Sequence, residues 1–184
     1  KRQKIEAEVL LSALDMITPG SPEHAIILAS HDWHPGVIGI VASRLVERFF
    51  KPVFLFSIKD TFAKGSARSV PGFHLYNAIA ECSDLLLGFG GHRQAAGLKI
   101  AEDKLDTFRK CMNSIAGKNL SAADRAPVLQ IDASVKFTDL NFSLVKEISL
   151  LEPFGEANRE PLLGARNAEI VNHRVVGNKH LKMM

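Results

Sequence analysis

The stretch HAIILASHDWHPGVIGIVASRLVERFFKPVFLFSIK (24–59) decides the fold class. His24–Ala29 is a short apolar run between turn formers, which predicts a buried strand. His31-Asp32-Trp33-His34-Pro35-Gly36 has loop chemistry. Val37, Val41, Leu45 and Phe49 then recur every four residues, the spacing of one helix face. Pro52–Ile58 predicts a second buried strand. Strand, helix and strand in that order point to an α/β domain.

Working outward, Phe62–Ser69 reads as a third strand with Gly65-Ser66 inside it, and Ala95–Ile100 as another. Leu75, Ala78, Ile79 and Cys82 predict a short helix. Leu105, Phe108, Met112 and Ile115 predict a longer one that stops at Gly117. Leu85–Gly91 runs into a glycine cluster, Gly88-Phe89-Gly90-Gly91. On the N-terminal side, Ile5, Val9, Ala13, Leu14 and Ile17 mark a helix that ends at Thr18-Pro19-Gly20-Ser21-Pro22. The expected organisation is a connecting helix over 1–20, an α/β domain with a mixed sheet and flanking helices over 21–120, and a mainly β domain over 121–184. Ser121–Pro127 is polar and alanine-rich, as a linker would be. Val128–Phe137 alternates apolar and polar residues and predicts a strand. Leu144–Leu151 predicts a short helix, broken by Pro153-Phe154-Gly155. Leu162–Val176 and Leu181–Met184 predict further strands. The opening Lys1 and the late strand imply a piece of a longer protein whose last domain is cut short.

Composition narrows the function classes. A hydrophobic share of 46% supplies a real core, so wholesale disorder is excluded. No apolar run approaches the roughly 18 residues of a membrane helix, so no membrane partner is expected. The 2 cysteines, Cys82 and Cys111, form no CxxC pair, which excludes a disulfide framework and a Cys-rich zinc site. A reducing cytoplasm is the expected location. The net charge is +3, and the excess is confined to residues 21–120, with twelve basic and nine acidic residues. That balance permits a nucleic-acid partner without requiring one.

Two stretches carry anion-binding chemistry. In Gly90-Gly91-His92-Arg93-Gln94-Ala95-Ala96-Gly97, paired glycines allow a ligand close to the backbone, and His92 offers a donor or proton shuttle. A tight turn with a satisfied histidine would account for the same residues. In Gly65-Ser66-Ala67-Arg68-Ser69, Arg68 presents a planar fork suited to phosphate, and Ser66 shares its face of a strand. The alternative there is a solvated edge-strand Arg. His31-Asp32-Trp33-His34 lies in a loop, so packing and capping outweigh metal binding. Trp33 reads as a buried anchor. No phosphate-binding Walker loop, zinc-protease helix or carboxylate cluster occurs, so no metal ligands are expected here.

The segments HPGVIGIVASRLVERFFKPVFLF (34–56), GSARS (65–69) and GGHRQAAG (90–97) together resemble the DHHA1 domain of DHH-type phosphoesterases. LEPFGEANREPLL (151–163) and VVGNKHLKM (175–183) resemble the OB-fold domain that follows it in the RecJ family of single-strand-specific DNA exonucleases. Glu156-Ala157-Asn158-Arg159 departs from that pattern, which usually has Gly and Pro at the positions of Ala157 and Arg159.

The resemblance implies a DHHA1-type α/β domain followed by a partial OB-like domain. It implies the substrate-binding C-terminal part of a 5′-to-3′ exonuclease of single-stranded DNA, used in recombination and repair. The Mn2+ or Mg2+ ligands would lie in an upstream DHH domain, so the chain alone would be inactive. By the same resemblance, Ser66, Arg68 and Ser69 fall on a phosphate-gripping strand, and Gly90, Gly91 and His92 on a glycine turn facing the scissile region, with Gly97 nearby and His92 as an assisting group. Single-stranded DNA is the implied partner of a monomer, with single-strand-binding protein and a helicase as further partners. The alternatives are another DHH–DHHA1 phosphodiesterase, acting on short RNA or a cyclic dinucleotide, and a non-catalytic nucleic-acid-binding module.

Overall fold

The computed structural model describes residues 2–121, 124, 126–177 and 180–184. The chain divides into two compact units, Lys1–Pro127 and Val128–Met184. In the first, α1 (Arg2–Asp15) is followed by β1 (Ile26–Ser30), α2 (Ile38–Phe49), β2 (Val53–Lys59), β3 (Phe62–Arg68), α3 (Leu75–Ala80), β4 (Leu86–Gly91), β5 (Ala95–Ala101) and α4 (Leu105–Asn119). The strands form one sheet in the order β1-β2-β3-β5-β4. β1 and β2 are parallel, with α2 as their crossover, and the other pairs are antiparallel. A mixed sheet follows because α2 can carry the chain back to start a parallel strand, whereas the Asp60-Thr61 turn can only reverse it.

The sheet has two different faces. On one, Ile27, Phe54, Phe56, Ala63, Ala67, Ala96, Leu98 and Ile100 pack against α3 and α4. Phe108 of α4 meets Phe54 and Phe56 edge-on, with ring centroids 5.6 and 5.8 Å apart. Gly65 lies under the Phe56 ring, where a Cβ has no room. On the other face, Ile26, Val53 and Leu55 pack beneath α2 and α1. α1 is held there by Val9 and Ala13 and by an ion pair from the buried Glu6 to Arg44 of α2, 2.6 Å long. Trp33 is buried in this layer, and its indole N–H donates to Ser12 Oγ at 3.1 Å. The helices of this face cover β1 and β2 and, through the first turn of α2, reach the Arg68 end of β3; the rest of β3, with β5 and β4, is left open.

Two expectations change in detail. α4 does not stop at Gly117 but runs to Asn119. A Cβ at Gly117 would stand 2.6 Å from the His24 ring, so this glycine serves close packing and not helix termination. Nearby, Asn113 Oδ1 accepts the His24 and Ala25 amides at 2.8 and 3.0 Å, which ties α4 to the entry of β1. The glycine cluster at 88–91 lies inside β4, and the turn proper is His92-Arg93-Gln94.

The second unit contains β6 (Ala133–Ser134), α5 (Phe142–Ser149), β7 (Leu163–Gly164), β8 (His173–Val176) and β9 (His180–Met183). The predicted strand over Val128–Phe137 shrinks to Ala133–Ser134, paired in parallel with β7. Alternation alone cannot make a strand without a partner to complete its ladder. α5 begins two residues before the predicted helix because Asn141 Oδ1 caps it, accepting the Leu144 amide at 3.0 Å. Leu162–Val176 is a strand only at its two ends. Asn158 organises the Pro-Phe-Gly turn by donating to the carbonyls of Leu151 and Pro153, at 2.7 and 3.1 Å. None of the described residues of this unit is buried. Among the described residues, no helix is long and apolar enough to cross a membrane.

Candidate nucleic-acid interface

The open half of the sheet is built by strand alternation. Along β3, Ala63, Gly65 and Ala67 turn toward α3 and α4, which leaves Lys64, Ser66 and Arg68 on the open side. Their register partners on β5 are Lys99, Gly97 and Ala95. Gly97 is in turn paired with Gly90 of β4, and Lys99 with Gly88. Leu87 is the extra residue at a bulge, which restores this alignment. A row Ser66–Gly97–Gly90 therefore crosses three strands with one side chain in it.

The glycines of the molecule fall into two kinds. Gly65 and Gly91 have no room for a side chain: Gly65 is buried under the Phe56 ring, and at the exposed Gly91 a Cβ would strike the Ala95 carbonyl and the Ala96 backbone. Gly88, Gly90 and Gly97 are exposed, and a Cβ on any of them would meet nothing within 4 Å. None of these three has positive φ. Glycine in a strand weakens it, so three at adjacent positions without an internal reason leave a bare floor for a group from outside.

Arg68 stands at one end of this floor. Its guanidinium donates to Ser66 Oγ at 3.3 Å and to the Ala67 carbonyl at 2.8 Å. No carboxylate of the described residues forms an ion pair with it. The first turn of α2 lies over the pair: a Cβ on Gly39 would be 3.0 Å from Ser66 Oγ and 3.2 Å from an Arg68 nitrogen. Gly39 thus makes room for Arg68, and α2, which has no side-chain N-cap, brings the positive end of its dipole there. The site combines a half-buried guanidinium, a hydroxyl, a helix N-terminus and bare backbone, a set suited to oxyanions.

The predicted residues separate on this geometry. Ser66, Arg68, Gly90 and Gly97 share the open face. His92 is exposed at the end of β4, and its amide closes the turn by donating to the Ala95 carbonyl at 2.8 Å. Ala95 is the partner of Arg68, so His92 belongs to the Arg68 end. Gly91 faces inward and shapes the turn. Ser69 lies off this face: it is buried, and its hydroxyl donates to the Phe73 carbonyl at 3.2 Å. Its amide and that of Leu75 hold the 92–94 turn through the Gln94 and Arg93 carbonyls. Gly90 and Gly91 lie within the paired strand β4 and form no turn of converging N–H groups. Gly39 escaped the sequence reading, which held Gly88 only as a member of the glycine cluster and not as a site residue. Gly39 stands in an apolar helix pattern with no sign that strand β3 passes beneath it.

The loop histidines do not converge. His31 faces Glu102 at 3.2 Å, and His34 Nδ1 accepts the Gly36 amide at 3.0 Å. Among the described residues no group of three or more His, Cys, Asp or Glu could hold a metal ion. Burial, then the neighbouring Cys111, push the Cys82 thiol well above its usual range, as befits a core thiol on the helix-covered face.

The sequence model of the DHHA1 domain matches residues 23–118, and that of the RecJ OB domain matches residues 131–184. The chain belongs to the RecJ family. It is homologous to the C-terminal part of those proteins. The single-stranded-DNA-specific exonuclease RecJ of Bacillus subtilis is 38% identical over 188 residues, with all of this chain and 24% of that protein covered. The RecJ exonuclease of Escherichia coli is 31% identical, with 98% and 32% covered. The crystal structure of RecJ with Mn2+ from Thermus thermophilus superposes with a TM-score of 0.86 at 33% identity, covering all of this chain and 27% of that one. A RecJ structure with Mg2+ from the same organism gives 0.83. The chain thus spans about a quarter to a third of the length of these RecJ relatives.

Proposed function

We propose that this chain is the strand-binding C-terminal part of a 5′-to-3′ exonuclease of single-stranded DNA that serves recombination and repair. The observation that carries the reading is the glycine floor of Gly88, Gly90 and Gly97 beside Ser66 and Arg68. A backbone without side chains admits a nucleic-acid strand, and the Arg68 fork at one end suits a terminal phosphate, which carries more charge than an internal diester. Ser66 orients the guanidinium, and His92 stands at the same end as an assisting donor. Ser69 keeps the supporting turn in place.

The residues described here do not fit a metal centre, so the chemistry of Mn2+ or Mg2+ belongs to another part of the enzyme, the DHH domain of the family. In this reading the chain by itself binds and does not cleave. The enzyme acts in the cytoplasm as a monomer, with single-strand-binding protein and a helicase as partners. The free thiols Cys82 and Cys111 are in keeping with a reducing compartment.

Anisotropy with 3′-labelled single strands, phosphorylated or hydroxylated at the 5′ end, tests the reading. A hydrogen bond to a charged group is worth roughly 1.5–3 kcal/mol, so Arg68→Ala should weaken binding of the phosphorylated end about tenfold to a hundredfold. Binding of the hydroxyl end should change little. Arg68→Lys should restore only part, because Lys keeps the charge and loses the fork. Equal loss on both ends would make Arg68 a general backbone clamp, and no loss on either would make it a solvated strand residue. Metal-dependent cleavage by the purified chain would remove the division of labour.

A further inference from the structure

The bare floor continues beyond Ser66, and there it carries a second cationic group. Lys64 of β3 and Lys99 of β5 are register partners, so their side chains leave the same face next to each other. Both residues are exposed. Like charges directly opposite across two strands destabilise a sheet. No carboxylate of the described residues forms an ion pair with either ammonium. Lys99 Nζ is held 4.1 Å from the centroid of the Phe62 ring, which fixes its charge above the sheet. Gly88 and Gly97, which flank Lys99 across and along the strands, leave the backbone uncovered around the pair. Apart from the Lys99–Phe62 contact, neither the lysine pair nor these glycines answer a packing need of the chain itself.

We propose that Lys64 and Lys99 form a second phosphate subsite, which holds the internal backbone of the strand whose 5′ end is read at Arg68. The inference rests on the strand-binding reading above. Lys64 and Arg68 are four residues apart on β3, about 14 Å at the rise of a strand. A phosphate gripped by Arg68 is out of reach of the lysines, but a later phosphate of the same chain is not. The single strand then lies extended along β3 and β5, over Gly97, Gly90 and Gly88. Affinity should therefore grow with length until the lysines are engaged, and a 5′-mononucleotide should use the Arg68 end alone.

The test uses the 184-residue chain, a 5′-phosphorylated thymidine oligonucleotide of about ten nucleotides, and thymidine 5′-monophosphate as competitor. Each phosphate contact on a single strand contributes roughly 0.7 to the slope of log affinity against log salt. The double variant Lys64→Ala/Lys99→Ala should lower that slope by about 0.7, for the one phosphate the pair holds, and weaken the oligonucleotide about tenfold or more, while competition by the mononucleotide stays as in wild type. Without DNA the variant should melt close to wild type, because relief of the repulsive pair offsets the lost Lys99–Phe62 contact; a packing role of the pair would lower the melting temperature clearly. Wild-type affinity and slope in the double variant, with Arg68→Ala still weakening the phosphorylated end, would overturn the second subsite and leave the end-reading intact. Equal weakening of the mononucleotide would merge the lysines into the Arg68 site and also overturn it. A wild-type chain that fails to bind either ligand at low salt would end both readings.

Discussion

Leu55 and Ser66 are register partners on adjacent strands and point to the same side of the sheet. Leu55 is fully buried under α2, whereas Ser66 lies partly open. The boundary between the two halves of this face runs between them. On the β1–β2 side the face carries Ile26, Val53 and Leu55, with the buried Ser57 donating to the Trp33 carbonyl, and two helices lie on it. On the β3–β5–β4 side the same face carries Ser, Arg, Lys and Gly, and only the first turn of α2 overhangs it, at Ser66 and Arg68. The contrast teaches that a sheet position has no fixed meaning: the strand decides the face, but the helix above decides whether that face is core or interface.

The covered half should break most visibly. Leu55→Ala removes a fully buried side chain and should cost about 2–5 kcal/mol, read as a lower denaturant midpoint with an unchanged slope. A cost below about 1 kcal/mol would mean that α2 is not seated as described. On the edge of the open half, Gly91→Ala drives a Cβ into the Ala95 and Ala96 backbone and should cost about 1–3 kcal/mol.

Its neighbour sharpens the comparison. Gly97→Ala meets nothing within 4 Å, so it should be neutral or add about 0.5–1 kcal/mol of stability. It should nonetheless weaken single-strand binding, since the methyl group occupies the floor. Stability and binding moving together at Gly97 would show that its space belongs to the fold and not to a ligand.

The smallest effect lies at the end of the first unit. The Ser121 hydroxyl and amide both donate to Asp124, at 2.6 and 3.0 Å, and hold its carboxyl below the usual range. A lowered folded pKa gives stability that is present above the unfolded value and lost as pH falls through the folded one. Wild type should therefore lose a slight stability increment below the ordinary 3.8 that Asp124→Asn does not. Parallel acid titrations of the melting temperature in the two proteins would show this, and superimposable profiles would remove the loop from consideration.

The two units differ in how far they could be read. In the first, every strand and helix but β4 carries its own periodic apolar signal and stands within a few residues of expectation; β4 ends in glycines and reads only as a run into a glycine cluster. In the second, Val128–Phe137 alternates well but pairs at only two residues, because a strand exists only where another supplies the ladder. α5 moved because one side chain, Asn141, captured an amide. The site divides similarly. Ser66 and Arg68 were legible because period-two geometry places them together within one strand. Gly39 was not, because nothing local records that Arg68 passes beneath it.

Residue order alone determined the alternation of strands and helices, the side of β3 that carries Arg68 and the family to which the motifs point, since all three depend on short-range spacing. The tertiary structure decided which half of the sheet stays bare, which glycines are spaces and which are packing, and that Ser69 braces a turn while Gly90 and Gly97 open the floor. These are properties of contacts between segments tens of residues apart, and a glycine's meaning is set by what stands opposite its missing side chain.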